Sequence, residues 1–280
     1  MAKQNATNQS SALFARNNSL QIPLFMCVLC QTSTLNAPKE MKPPATHTDE
    51  QVAPLVVVTG AGRGVGFGTA QALVNEHGAE VIAVSRNMDA WTVDRRGERV
   101  TILSADLSTD DGIAAVQQAI GDRPLFGLIN NAGILRKRDL GTWTSADLDA
   151  LFGVNARAPL LLTQALLPAL RKSPMAHVVN ISSMGGFQGS VKFPGLVGYS
   201  ASKAALACIT ECLAEELKST GVHCNCLCLG AVDTAMLREA FPGYQAPIDA
   251  KAMGGFIARF LFDGYKLLNG KVLPLSISTP

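Results

Sequence analysis

Tyr199 and Lys203 stand four residues apart in the run YSASK, 199–203. On a helix that spacing puts both side chains on one face, within mutual reach. A phenol with a pKa of ~10 is a poor acid or base at neutral pH. A fixed ammonium beside it favours the phenolate and lowers that value. Such a tyrosine would protonate an alkoxide as hydride arrives, or deprotonate an alcohol as hydride leaves. The pairing alone is common, and a half-buried tyrosine beside a surface lysine would show the same letters.

Hydride chemistry calls for a dinucleotide, and a second run offers a place for one. Residues 59–66 read TGAGRGVG, where the apolar run Leu55–Val58 gives way to a helix-like stretch. A pyrophosphate needs close backbone approach and N–H groups at a helix N-terminus. Gly60, Gly64 and Gly66 allow both, with Arg63 and Val65 between them. The spacing is GxxxGxG instead of GxGxxG, and an ordinary glycine turn is the alternative reading. The next apolar run ends Ala83-Val84-Ser85-Arg86. A ribose 2′-hydroxyl calls for a carboxylate there, a 2′-phosphate for a cation. Ser85 and Arg86, with Arg63 inside the loop, point to NADP over NAD.

These residues need a frame, and the apolar pattern supplies one. Short runs at Leu55–Val58, Val81–Val84, Val100–Leu103, Leu125–Ile129, His177–Ile181, Val222–Leu229 and Val272–Leu275 predict strands. Helical patterns follow the glycine loop to about His77, where Gly78 stops the first, and cover about 145–170, Tyr199 to about Lys218, and Ile248–Phe262. Apolar strands alternating with helices mean a parallel sheet covered on both faces. The expected fold class is α/β, a doubly wound Rossmann-type parallel sheet in a single NAD(P)-binding domain over residues 53–280. Residues 1–52 are rich in Asn, Gln, Ser, Thr and Pro, without a sustained period. They predict a low-order N-terminal extension. Their apolar patch Ile22–Leu29 leaves a targeting segment open, and Met41 could be the true start.

Composition removes several classes. Of 280 residues, 48% are hydrophobic and 16% charged, the reverse of a disordered chain. A net charge of +2 without a basic run gives nucleic acid nothing to bind. The apolar stretches fall short of the ~20 residues of a membrane helix, so no membrane partner is expected. Seven cysteines make no disulfide framework and suggest a reducing, cytoplasmic setting. Cys224, Cys226 and Cys228 alternate along a strand and read as packed core thiols instead of metal ligands. Cys208 and Cys212 read as one buried helix face. Cys27 and Cys30 form CxxC without a βαβ pattern around it.

In combination, the marks between Val52 and about Thr234 resemble the short-chain dehydrogenases/reductases, single-domain type. They are TGAGRGVG at 59–66, Asp106 after the third strand, NNAG at 130–133, Asn155 in FGVN, NISS at 180–183 and YSASK at 199–203. The resemblance implies that Tyr199 is the acid–base, and that Lys203 is its pKa partner and a ligand of the nicotinamide ribose. It implies that Ser183 hydrogen-bonds the substrate oxygen and that Asn155 holds a water in a proton relay. Asn131, Ala132 and Gly133 would line the cofactor side of the fourth strand. Asp106 would lie near the adenine, and Thr234 near the carboxamide. Three departures stand out. Ser190-Val191-Lys192 reads as an insertion that either widens the substrate mouth or bulges outward, which leaves Ser182 as a rival to Ser183. Leu229-Gly230 replaces the usual Pro-Gly, and Asn269–Leu275 lacks the glycine pair common at that end. Residues 235–247 would form a substrate lid, with Met236, Leu237, Phe241 and Tyr244 as an apolar wall.

The reading that results is an NADP(H)-dependent oxidoreductase, a carbonyl reductase acting on a small-molecule carbonyl or secondary alcohol. A 3-oxoacyl thioester reductase is the nearest alternative; a catalytically silent cofactor-binding scaffold is another. Helices rich in Leu and Ala imply, by the same resemblance, a homodimer or homotetramer.

Overall fold

The computed structural model describes residues 52–91 and 99–277. The extension expected over residues 1–52 lies outside these, apart from Val52. Seven parallel strands form one sheet: β1 (Leu55–Thr59), β2 (Glu80–Ser85), β3 (Val100–Ser104), β4 (Gly127–Asn130), β5 (Ala176–Ser183), β6 (Val222–Leu229) and, last in the chain, β9 (Val272–Leu275). Their order is β3-β2-β1-β4-β5-β6-β9, with every neighbouring pair parallel. The order reverses between β1 and β4. A crevice therefore opens beyond their carboxyl ends, where doubly wound sheets bind ligands. Val56, Val57 and Val58 are wholly buried, as β-branched residues of a strand covered on both faces should be.

Helices cover the two faces separately. On one lie α1 (Gly64–His77) and α7 (Ala250–Asp263); Leu73, Met253, Ile257 and Leu261 pack onto Val56, Val58 and Ile129. On the other lie α2 (Asp110–Ile120), α4 (Ala158–Leu170) and the end of α5 (Val197–Glu216), with Val116, Leu166 and Leu217 packed onto Val57 and Leu128. Where α1 crosses α7 the backbones nearly touch. A Cβ on Gly254 would sit 2.4 Å from the Gly68 carbonyl carbon. Gly78 ends α1 in the left-handed conformation, φ 63°, and its N–H returns to Leu73 O.

Local differences from the sequence reading have local causes. The α2 helix is absent from that reading, although Ile113, Val116 and Ile120 follow a helical period, Thr109 caps it and Asp110 and Asp111 suit its N-terminus. The helix expected over 145–170 is α3 (Ser145–Phe152) and α4, joined by a π-helical turn, Gly153–Arg157, that contains Asn155. The joined run Ser145–Leu170 has the length and apolar composition to cross a membrane, which corrects the estimate of short apolar stretches. Half of its most apolar window is buried within the protein, the position of a core helix. Ile248 and Asp249 open no helix. They form β8, a two-residue bridge to β7 (Val232–Asp233), and Asp249 caps α7 through the Ala252 N–H at 2.7 Å. Between β7 and β8 the expected lid contains a short helix, α6 (Ala235–Ala240), capped by Thr234.

The cysteines divide. Cys224, Cys226 and Cys228 are buried, and all five described cysteines are free. Cys208 and Cys212 are exposed, against expectation. The buried stripe of α5 runs Ser202, Leu206, Thr210 and Ala214. Cys208 and Cys212 each lie two residues past it, about 200° around the helix.

Candidate active site

One cleft of about 860 Å³ runs along the carboxyl edge of the sheet, from Arg86 and Asp106 at one end to Tyr199, Phe193 and Phe241 at the other. The glycine turn is its middle floor. Gly60 and Gly64 take positive φ, 65° and 57°, which side-chain-bearing residues avoid. Thr59 fixes the turn to the next strand, its Oγ accepting the N–H groups of Asn131 and Ala132, each at 3.0 Å. Asn131 answers by donating Nδ2 to Thr59 O at 2.9 Å. Gly66 lies behind the cleft instead of in it. A Cβ there would meet Asn131 Nδ2 and Gly60 O at 2.4 Å each, so its smallness lets α1 start against β4.

At the far end, β2 delivers Ser85 and Arg86 into the cleft beside Arg63 and Asp106. Asp106 Oδ1 accepts from Ser108 N–H at 3.0 Å and from Ser108 Oγ–H at 2.7 Å. Those bonds, with Arg86's charge behind them, hold its carboxyl below the usual range. Asp89 lines the same end, a carboxylate the strand-end reading overlooked. Asn87 holds it, donating Nδ2 to Asp89 Oδ2 at 2.7 Å.

At the near end, β5 and α5 meet. Alternation along β5 separates the two serines. Ser182 is buried and donates to Lys203 O at 2.8 Å. Ser183 lines the cleft with Tyr199 and accepts the Gly185 N–H at 3.1 Å. The insertion leaves that geometry alone. Lys192 donates Nζ to Phe187 O at 2.6 Å and to Ser190 Oγ at 2.7 Å, while Val191 is exposed, so the segment folds outward. Leu229 is buried, and beside it the Gly230 N–H donates to Leu275 O at 2.7 Å.

The expected lowering of the Tyr199 pKa by Lys203 is reversed here. Burial raises the phenol, and the Ser183 hydroxyl only tempers that. Lys203 Nζ donates instead to Ile181 O at 2.8 Å, and burial brings its own pKa down to about 8. A lysine inside a closed sheet–helix seam loses hydration of its charge faster than one neighbour can restore it.

Asn155 stands behind this pair, wholly buried and not on the cleft wall. Its Oδ1 accepts Ile134 N–H, and its Nδ2 donates to Ile134 O and Ser202 Oγ, each at 2.9 Å. Both amide protons are thus spent on the fold, and the side chain clamps the segment after β4 to α5. Gly133 fits the same seam, a Cβ there falling 3.2 Å from Lys203 Nζ. Sequence patterns miss a second brace, in which Asn130 donates to Asn180 Oδ1 and Asn180 to Thr210 Oγ1, both at 2.8 Å. The asparagines sit inside quoted motifs; Thr210 carries no signal of its own.

The mouth above Tyr199 is apolar. Met236, Leu237 and Phe241 line it, facing Phe193, Leu196 and Met184. Phe193 and Phe241 meet edge to face, with centroids 5.1 Å apart. Lys137 Nζ donates to Ala240 O at 3.3 Å, tying α6 to the segment after β4. Tyr244 lies off the cleft wall, because the lid turns away after Phe241. Thr234 reaches the cleft and accepts the Leu237 N–H at 3.2 Å.

A sheet with this switch point, a glycine turn above it and a Ser–Tyr–Lys group on β5 and α5 defines a dinucleotide-linked oxidoreductase fold. Residues 54–245 match the short chain dehydrogenase family model, and the chain belongs to that family. Ketoacyl reductase HetN of Nostoc sp. is 32% identical over 206 residues, 69% of this chain and 70% of that protein. The 3-oxoacyl-[acyl-carrier-protein] reductase FabG of Chlamydia muridarum is 31% identical over 190 residues, 65% of this chain and 75% of that protein. A solved 3-ketoacyl-(acyl-carrier-protein) reductase from Brucella melitensis, complexed with NADH, superposes with a TM-score of 0.69 at 25% identity. That match covers 79% of this chain and 96% of the other.

Proposed function

We propose that the protein is an NADP(H)-dependent reductase of a carbonyl with an apolar body, Tyr199 serving as the acid. The observation that carries this reading is that Ser183, Tyr199 and Lys203 line the same cleft as the glycine turn. The turn fits a pyrophosphate, since Gly60, Gly62 and Gly64 line the cleft where α1 begins. Bound NADPH would supply the hydride. Arg86 and Arg63 would hold its 2′-phosphate, and Thr234 would face its carboxamide.

Ser183 and Tyr199 would hydrogen-bond the substrate oxygen, and Tyr199 would give it a proton as charge develops. Burial keeps the phenol protonated at neutral pH, the state that reduction requires. Lys203 would hold positive charge near that oxygen and reach the ribose, while Asn155 would hold Lys203's surroundings in place. The Phe193–Phe241 wall would exclude water. Free thiols fit a reducing, cytoplasmic setting, and a homodimer or homotetramer accords with the family.

The similarity to the ketoacyl reductase HetN and the 3-oxoacyl-[acyl-carrier-protein] reductase FabG favours a second reading, with a 3-oxoacyl thioester as substrate. Asp89 and the NADH-bound neighbour favour NAD as cofactor. Titration of the protein with NADPH and NADH, followed by a ketone and thioester screen, separates these. Tight NADPH binding with ketone turnover is expected. NADH preference would remove the role of Arg86; binding without turnover would leave a cofactor-binding scaffold.

A further inference from the structure

Ala61 is held from both sides. Its N–H donates to Val84 O at 3.1 Å. Its carbonyl accepts the indole N–H of Trp91 at 3.0 Å. Trp91 stands thirty positions along the chain from Ala61, in the segment that leaves β2, and is 6% exposed. Its ring packs edge-on to Phe67 of α1, centroids 4.9 Å apart and planes at 71°. The segment holds its own shape. Asn87 Oδ1 accepts the Asp89 N–H at 2.8 Å, and the Trp91 N–H donates to Met88 O at 2.9 Å. It also presses on the glycine turn, for a Cβ on Gly62 would fall 1.9 Å from Asn87 O.

We infer that Trp91 is a positioning residue for the cofactor: its indole N–H fixes the Ala61 peptide, and so aims the following amides of the glycine turn into the cleft. The physical reason is directional. A turn of small residues has many accessible conformations, because glycine populates both signs of φ. A turn that binds an anion through N–H groups must hold one of them before the anion arrives, or part of the binding energy goes into ordering it. Ala61 offers one donor and one acceptor, and both are bound within the protein. The next peptides start α1, whose first N–H groups have no partner within the helix. With Ala61 anchored, those N–H groups converge at the site where the pyrophosphate would lie. Phe67 makes the same clasp grip α1 itself.

This inference rests on the dinucleotide reading. The test replaces Trp91 alone, in the full chain, by 3-benzothienylalanine, which has the shape of tryptophan and a sulfur where the N–H was. Calorimetric titrations with NADPH and with NADH are compared with the parent protein, together with melting temperature and steady-state rates. The expected result is a five- to tenfold weaker Kd for both dinucleotides, of the size that one unsatisfied buried acceptor produces. KM for the cofactor should rise in step, kcat at saturating cofactor should change less than twofold, and melting should shift little. Trp91→Phe, which keeps the ring edge and loses the donor, should behave alike. Parent-like affinity in the benzothienyl protein overturns the inference, whether or not its melting temperature falls. A loss of kcat equal to the loss of affinity overturns it too, since the catalytic pair would then be disturbed. Failure of the parent itself to bind either dinucleotide would instead remove the reading beneath it.

Discussion

Single side chains decide the chemistry, and the two adjacent serines make the point. Ser183 lines the cleft with Tyr199, whereas Ser182 donates to Lys203 O. Ser183→Ala is therefore expected to lower kcat about 100-fold with little change in stability, and Ser182→Ala to lower stability by about 1–3 kcal/mol with a smaller loss of kcat. Parallel kcat measurements and urea melts on the two variants check this; equal losses would show that the alternation of β5 does not sort them. Tyr199→Phe should reduce turnover about 1,000-fold while the NADPH Kd stays within twofold, by stopped-flow and titration. At the other end of the cleft, Arg86→Glu should weaken NADPH about 10- to 100-fold relative to NADH, the range of one charge-assisted phosphate contact. An unchanged ratio would locate phosphate recognition elsewhere.

Elements act through how closely they approach. The α1–α7 crossing depends on Gly68 and Gly254, and a Cβ on Gly254 meets backbone, which has no rotamer to turn aside. Alanine's better helix propensity, worth ~1 kcal/mol, favours the substitution. The forced separation of two helices outweighs that gain. Gly254→Ala is expected to destabilise by about 2–3 kcal/mol net in urea unfolding, and a more stable variant would show that the crossing is slack. The π-helical turn between α3 and α4 acts in the same way, by position. It places Asn155 against Ile134 and Ser202, joining the segment after β4 to α5 and supporting Lys203 from behind.

Across the whole molecule, the end of the sheet opposite the cleft carries a pH liability. His177 is the second residue of β5, wholly buried, with Nδ1 on Leu261 O at 2.9 Å and Nε2 accepting from Asn225 at 3.0 Å. Burial lowers its pKa to about 4, and the nearby His223 pushes the same way. The folded protein holds this ring neutral, whereas the unfolded chain protonates it below about 6.5. Between those values the unfolded state binds the extra proton, so stability falls as pH falls. From pH 7.5 to pH 5 the loss should be about 2 kcal/mol in urea melts, and His177→Gln should flatten it. An equal slope in that variant would assign the acid sensitivity to other groups. Asp147, held well down by Arg136 and Thr144, contributes stability above about pH 3.8 that is lost only as pH falls below that range.

The strands, the parallel sheet and the order of the cofactor and catalytic marks were legible from the chain, because each rests on local rules. β-branched runs make buried strands, glycines permit a tight turn, and i,i+4 spacing sets Tyr199 beside Lys203 on one helix. What only tertiary structure decided is what each polar group meets. Burial turned the expected fall of the Tyr199 pKa into a rise. The outward fold of Ser190–Lys192 left Ser183 facing Tyr199, and the stripe of α5 put Cys208 and Cys212 in solvent. Trp91 reached Ala61 across thirty positions with no motif to announce it. Desolvation and hydrogen-bond partners depend on which distant segments close around a group, and sequence spacing carries no measure of that.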